Sequence, residues 1–338
     1  MILILSVFFV VLSVVLTRVF CRIAQNTRLM DKPNGRSLHV TPTVRGGGLV
    51  FIGLPLVVLP FLCYVTKTSF SDLMVLIISI FLLATVSFLD DLYNLSSKSR
   101  FFVQSIIALL IVLFMRPEQL NFVLFSLTNQ FVIIPLLFFT VIWAINHFNF
   151  MDGIDGFCAM QALFLLAAYA LLFGFHHGLI YQYFCFMLIF CLLGFLIFNF
   201  PPAKLFMGDV GSATLGLIVF SLALIAQQKY QIPILYWFML NSLFLFDATV
   251  TLLRRIINKE KWSAAHKKHA YQRLKQGGVG TRVILLGQLV LNGSFLIFVL
   301  LAYRYKVNLL VLLSIQCCFI MVLYYLIERK NPMIFSGN

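Results

Sequence analysis

Chemistry in this chain has to come from few residues. Only eleven of the 338 are Asp or Glu, and six of those, Asp90, Asp91, Asp152, Asp155, Asp209 and Asp247, stand at or near the ends of long apolar runs. Adjacent carboxylates such as Asp90 and Asp91 repel unless a cation or proton lies between them, so the pair points to a metal site or a raised pKa. NHFNFMDGIDG, residues 146–156, sets two amides beside two carboxylates. If the apolar run before it is helical, Asn146 and Asn149 lie one turn apart, and Gly153 and Gly156 let the chain reverse. Amides donate as well as accept, whereas carboxylates accept and bind metal. NFPPAKLFMGDVGSATLG, residues 199–216, holds Asp209 between Gly208 and Gly211, with Ser212 as the expected N-cap of the next helix. A carboxylate beside exposed N–H groups at a helix start suits a divalent cation and a phosphate together.

Cationic residues accompany these acids. Lys98 and Arg100 follow the Asp pair, Lys204 precedes Asp209, and KWSAAHKKHAYQRLKQ, residues 261–276, brings His266, His269 and Arg273. That last spacing puts three donors on one short helical face, fit for a diphosphate. Each residue also has a plainer reading. An Asp at a helix end is usually a cap, which is an even reading for Asp247, and a histidine in a basic loop is usually solvated. Asp31, Glu260 and Glu328 sit among basic residues and read as local counter-ions.

The elements that must carry these residues are membrane helices. The chain is 62% hydrophobic and 11% charged, too apolar for one water-soluble core. Apolar runs of the length needed to cross about 30 Å of hydrocarbon recur throughout. Eleven are expected, near 1–20, 47–66, 72–89, 101–115, 128–147, 157–175, 179–198, 213–227, 232–252, 283–302 and 308–326; the fourth and eighth are short, so the count is ten or eleven. The first lacks a basic leader and a cleavage site, so it reads as an uncleaved helix. If the spans alternate, Lys67, Arg116, Lys229, Arg304 and Lys306 fall on one side and the other 20 of 25 Lys and Arg on the opposite side. The positive-inside rule makes the richer side cytoplasmic, with a periplasmic N-terminus and a cytoplasmic C-terminus. The expected fold is therefore an all-α, polytopic bundle forming one domain, with cytoplasmic active-site loops near 21–46, 90–100, 146–156, 199–212 and 253–282. The net charge of +14 is accounted for by orientation and anionic membrane lipid, not nucleic acid. Seven cysteines in or near apolar spans, without metal-ligand spacing, read as buried small hydrophobes.

With these blocks in order, the chain resembles the polyprenyl-phosphate N-acetylhexosamine-1-phosphate transferases, polytopic bacterial enzymes that move a sugar phosphate from a UDP-sugar to a lipid phosphate. The likeness runs from the first loop to about residue 282. It rests on Asp90-Asp91 with Lys98 and Arg100, NHFNFMDGIDG, NFPPAKLFMGDVGS and the histidine loop. The resemblance implies Mg2+, for which Mn2+ can substitute, held by Asp209 and Asn149. It implies Asp155 against the uracil, with Asp152 and Asn146 nearby in the nucleotide-sugar pocket; Lys204, His266, His269 and Arg273 stay candidate substrate contacts on the residues' own chemistry. Asp90 and Asp91 become the catalytic pair, with Lys98 where the lipid phosphate approaches. The first loop, with His39, Pro42 and Arg45-Gly46-Gly47-Gly48, is also similar to the family's first cytoplasmic segment. HKKHAYQRL departs from the adjacent or nearly adjacent histidines of the peptidoglycan, enterobacterial-antigen and teichoic-acid branches and is more similar to the O-antigen or capsule branch, often with 6-deoxy-HexNAc donors. The implied partners are a UDP-N-acetylhexosamine, undecaprenyl phosphate and membrane lipid at the bacterial inner membrane, with a homodimer among the assemblies to test. A GlcNAc-1-phosphate or phospho-MurNAc-pentapeptide transferase is the same-family alternative, and a transporter or flippase the rival class.

Overall fold

The computed structural model describes residues 2–33, 41–122, 125–261, 264 and 266–334. His39 lies outside them. The elements run α1 (Ile2–Ala24), β1 (Met30–Asp31), β2 (Thr43–Val44), α2 (Gly48–Thr66), α3 (Ser71–Tyr93), α4 (Ser97–Met115), β3 (Leu120–Asn121), β4 (Ser126–Leu127), α5 (Gln130–Phe150), α6 (Phe157–Phe175), α7 (Leu179–Asn199), α8 (Gly208–Tyr230), α9 (Leu235–Leu240), α10 (Ser242–Ile257), α11 (Ala270–Gln276), α12 (Thr281–Tyr305) and α13 (Leu309–Lys330). The strands form two short antiparallel pairs, β1 with β2 and β3 with β4. Among the described residues ten helices, α1 to α8 with α12 and α13, are long and apolar enough to cross a membrane. The all-α, multi-pass architecture is as expected.

The core is α8, in which every residue from Val210 to Gln227 is buried. It packs against α2, α3 and α5, and small residues set the closeness of those contacts. A Cβ on Gly48 would lie 2.3 Å from the Gly211 backbone, and one on Gly216 2.2 Å from the Ala144 carbonyl oxygen. Side-chain caps start the neighbouring helices, Ser96 accepting from the Ser99 N–H and Asn129 from the Phe131 N–H. Burial falls away toward α13, whose outward face of Val311, Ile315, Phe319 and Val322 matches a helix against lipid.

The ninth expected span, 232–252, is not one helix. It breaks at Asn241 into α9 and α10. Asn241 Nδ2 lies 2.7 Å from His147 Nε2, and the carbonyls beside the break are satisfied from other helices. Gln316 donates to Met239 O (2.7 Å) and Gln161 to Leu240 O (3.3 Å), as backbone freed inside an apolar bundle requires. α10 carries Asp247, Arg254 and Arg255 in its 16 residues, polarity an unbroken lipid-facing span would not hold. Of the seven cysteines, Cys63, Cys158, Cys185 and Cys191 are buried as expected, whereas Cys317 and Cys318 are exposed on α13.

Candidate functional site

The aspartates come together because helix ends far apart in sequence meet at one end of α8. A cavity of about 470 Å³ opens there, lined by Asp31, Asp91, Asp152, Asp155 and Asp209 with Arg45, Asn149, Gln272 and Lys275 among its other walls. Asp91, at the end of α3, points its carboxylate into the start of α8. It accepts from the Asp209 and Val210 N–H groups at 3.2 Å each, an anion on unpaired N-terminal donors. Gly208 permits this approach. Its φ is +70°, and a Cβ there would lie 2.4 Å from Asp91 Oδ2. Asp91 itself is only 2% exposed.

Arg100 joins two of the blocks. Its Nη1 donates to Asp90 Oδ2 (2.9 Å) and to Asp209 Oδ2 (3.2 Å), so α3, α4 and α8 share one cation. Asp90 is buried and reaches the site through this arginine; it does not itself line the cavity. Asn149 donates from Nδ2 to Asp209 Oδ2 (3.2 Å) and accepts at Oδ1 from the Ser212 hydroxyl (2.9 Å). Ser212 thus holds Asn149 from within α8, and is not the N-cap expected, because the helix already begins at Gly208.

Residues of the α5 end diverge as helical geometry demands, about 100° per residue. Asn146 donates to Gln104 Oε1 and to Ile142 O, both at 2.8 Å. It ties α5 to α4, off the cavity wall where the nucleotide-sugar pocket was expected. His147 faces the α9–α10 break, and Asn149 faces Asp209. The following turn returns to the cavity. Asp155 Oδ2 accepts from the Ala203 N–H (2.9 Å), and Asn199 Oδ1 from the Gly156 N–H (3.0 Å). Burial, then the charges of Asp209, Asp91 and Asp155, push the Asp152 carboxyl well above its ordinary range.

Five carboxylates face two cations, Arg45 and Lys275, on the cavity wall, so the donor set fits a divalent cation. Among the described residues no three Asp, Glu, His or Cys side chains already form a metal cage. A hard cation here would complete its shell with water or substrate oxygen.

The histidine loop does not deliver the donors expected of it. His269 sits at the N-terminus of α11, its Nδ1 3.5 Å from Asp247 Oδ1, with its ring stacked near those of Phe150 and Tyr271. Asp247 accepts from the Ala270 N–H (2.8 Å), the Tyr271 N–H (3.4 Å) and the Thr251 hydroxyl (3.0 Å), the buried hydrogen-bonded side of its even reading. His266 packs 4.8 Å from the His269 ring. Burial, then the charges of His269, Arg255 and Lys268, lower its pKa to about 3. Arg273 is 4% exposed and turned away, donating to Glu328 Oε2 (2.7 Å) and Asn331 O (2.6 Å). Lys98 and Lys204 are exposed and outside the cavity lining. Glu260 and Glu328 are counter-ions as expected, to Arg255 and Lys268 and to Arg254 and Arg273.

Sequence reasoning gave no site role to several polar wall residues, among them Asp31, Arg45, Asn199, Gln272 and Lys275. Asp31 was read as a counter-ion but lies on the cavity. Arg45 Nη2 donates to Asp91 O (2.5 Å) and Asn94 Oδ1 (3.3 Å). The signal was the glycine run after it. The backbone of Gly47 and Gly48 donates to Phe206 O and Met207 O, an approach that lays the start of α2 beside the Asp209 loop.

A model of the family described as Glycosyl transferase family 4 matches residues 73–227, the stretch that holds Asp90, Asp91, Asn149, Asp152, Asp155 and Asp209. A probable undecaprenyl-phosphate N-acetylglucosaminyl 1-phosphate transferase of Bacillus subtilis is 31% identical over 330 residues, 92% of this chain and 86% of the relative. A phospho-N-acetylmuramoyl-pentapeptide-transferase of Prochlorococcus marinus subsp. pastoris is 28% identical over 281 residues, 75% of each chain. One of Staphylococcus saprophyticus is 30% identical over 208 residues, 56% of this chain and 63% of that one.

Proposed function

Because this chain belongs to glycosyl transferase family 4, a family of membrane glycosyl-1-phosphate transferases, we propose that it moves N-acetylhexosamine 1-phosphate from a UDP-linked donor to undecaprenyl phosphate. An oxygen of the lipid phosphate attacks the sugar-linked phosphorus, the bond from that phosphorus to the UMP oxygen breaks, and UMP leaves with the electron pair. One observation supports this above the others: Asp209, at the start of α8, shares Arg100 with Asp90 on the edge of a cavity walled by Asp152 and Asp155.

The nucleophile needs little activation. A phosphate monoester with a second pKa near 6 is roughly nine tenths dianionic at pH 7. The obstacle is bringing a dianion to an anionic diphosphate. Asp209, with Asn149 beside it, would hold a magnesium ion, which supplies neutralising charge and alignment when bound. Asp91 is committed to the N–H groups of Asp209 and Val210, so it fixes the Asp209 loop. Asp90, off the cavity wall on the other side of Arg100, would guide the lipid phosphate through that arginine. Asp155 and Asp152 form the far wall, suited to the nucleoside, and Gln272 and Lys275 extend it. A cytoplasmic site is the reading that the 20 to 5 division of basic residues supports, with the broken α9–α10 pair counted as one crossing.

The Bacillus subtilis relative, which spans most of the chain, makes UDP-GlcNAc the first donor to try. The 6-deoxy-HexNAc donors suggested by HKKHAYQRL, with O-antigen or capsule initiation downstream, come second, and UDP-MurNAc-pentapeptide third. The test is UMP release by the purified protein in detergent with undecaprenyl phosphate and magnesium. Release from one donor that depends on both lipid phosphate and metal is expected. No release from any donor, as for a transporter, overturns the reading.

A further inference from the structure

α11 is seven residues long, yet two of its sides meet different parts of the molecule. Gln272 and Lys275 line the cavity, and a Cβ on Gly153 would lie 2.7 Å from Gln272 Nε2, so this side lies against the loop that carries Asp152 and Asp155. Arg273, between them in sequence, points the other way and is held by the chain's own C-terminal segment. Its Nη1 donates to Glu328 Oε2 (2.7 Å) and to the Asn331 carbonyl (2.6 Å), and its guanidinium lies 5.3 Å from the centre of the Tyr324 ring. Glu328 is braced in turn by Arg254 and by the Met333 N–H (3.1 Å). The C-terminal segment also abuts the end of α11, where a Cβ on Gly277 would lie 2.0 Å from Asn331 Oδ1.

A helix this short has little stability of its own, so its orientation is set by what clamps it. Asp247 holds its first turn, through the Ala270 and Tyr271 N–H groups. We propose that Glu328 and the Asn331 carbonyl, acting through Arg273, form a C-terminal clasp that sets the rotation of α11 and so places Gln272 and Lys275 on the donor side of the cavity. Arg273 and Glu328 are then positioning residues, not substrate contacts. The assignment of a donor side rests on the transferase reading; the clasp itself does not.

Two measurements on the full-length protein separate these. In Glu328→Gln, amides 270–276 should exchange with deuterium about tenfold faster while 208–215 at the start of α8 keep their protection. Unchanged protection at 270–276 overturns the clasp whatever the reaction. In UMP-release kinetics, Arg273→Met should raise KM for the UDP-sugar about tenfold and leave KM for the lipid phosphate within about twofold. Adding Lys275→Ala to Arg273→Met should cost less than the product of the two single effects, because both act through one contact. An unchanged donor KM in folded Arg273→Met, or full multiplicativity of the pair, overturns the positioning role. Arg273→Lys, which keeps one donor toward Glu328, should recover part of the donor KM. If the unmutated protein releases no UMP, the transferase reading fails, and the exchange experiment still decides the clasp.

Discussion

Asp91 and Asp247 each accept two backbone N–H groups at the start of a helix elsewhere in the chain, Asp91 from Asp209 and Val210 and Asp247 from Ala270 and Tyr271. Both are nearly buried, at 2% and 5% exposure. Beyond the backbone they differ. Asp91 lies on a cavity with four other carboxylates, and Arg100 links the neighbouring Asp90 to Asp209. Asp247 is enclosed by Thr251, His269 and the rings around it. One capping arrangement serves an open site at α8 and a closed joint at α11. What separates them is access for an anionic reactant, which residue type does not encode.

The comparison is broken most directly at Asp209. Asp209→Asn removes a charge from the cavity but keeps the side-chain volume, and UMP release should fall by about a hundredfold or more, the scale of the roughly 10²–10³ lost when one oxyanion-hole donor is removed. Near-normal turnover at limiting magnesium would take Asp209 out of the metal site.

The paired substitutions come next. Asp91→Asn keeps one acceptor for the α8 N–H groups and should cost about tenfold or more in turnover with the fold intact. Asp247→Asn should instead lower folded stability by about 1–3 kcal/mol, as when a buried charged acceptor loses its partners, with turnover of the folded fraction within a few fold. Thermal melts read alongside UMP release check both. If the two variants lose the same property, the contrast between open site and closed joint is wrong.

Much of this contrast was visible in the sequence, and the limits have physical causes. Apolar run length marks membrane helices because the hydrocarbon thickness fixes it, so ten spans were legible. The break at Asn241 was not, since the donors that make it tolerable, Gln161 and Gln316, lie 79 and 77 residues from the carbonyls they satisfy. Asp91, Asn149, Asp152, Asp155 and Asp209, which share one cavity, were legible as a candidate site because polar groups at the ends of apolar helices need a reason to be there. The histidine loop misled because a seven-residue helix can turn any face inward, and only its packing on Asp247 and Glu328 shows that Gln272 and Lys275 face the cavity while Arg273 does not. Arg45 and Asp31 sit on strands two residues long or beside them, too short for a periodicity to reveal which side faces the site.

Backbone strain sharpens the same comparison at smaller scale. Gly208 and Gly278 both have positive φ, +70° and +88°, but a Cβ on Gly208 meets Asp91 Oδ2 whereas one on Gly278 meets nothing within 4 Å. Each change to Ala should cost about 1–2 kcal/mol for the left-handed backbone. Only Gly208→Ala should also displace the Asp91 carboxylate and lower turnover, by about tenfold. Equal turnover in the two variants would detach Asp91 from the reaction.

The smallest effect belongs to His266. Its pKa, lowered to about 3 first by burial and then by His269, Arg255 and Lys268, makes it neutral at pH 7 and unable to offer charge to a diphosphate. As pH falls through 6.5, the ordinary histidine value, the unfolded chain takes up a proton that folded His266 refuses. Stability from this group is therefore present above about 6.5 and lost progressively toward 3. His266→Asn should flatten the drop in melting temperature between pH 7.5 and pH 5.5, assayed at about those two values. Turnover between pH 6.5 and 8 should stay within about twofold of the unmutated protein. A larger loss of turnover, confined to the low-pH side, would put a protonated His266 back in contact with substrate and open the joint that its burial beside His269 now closes.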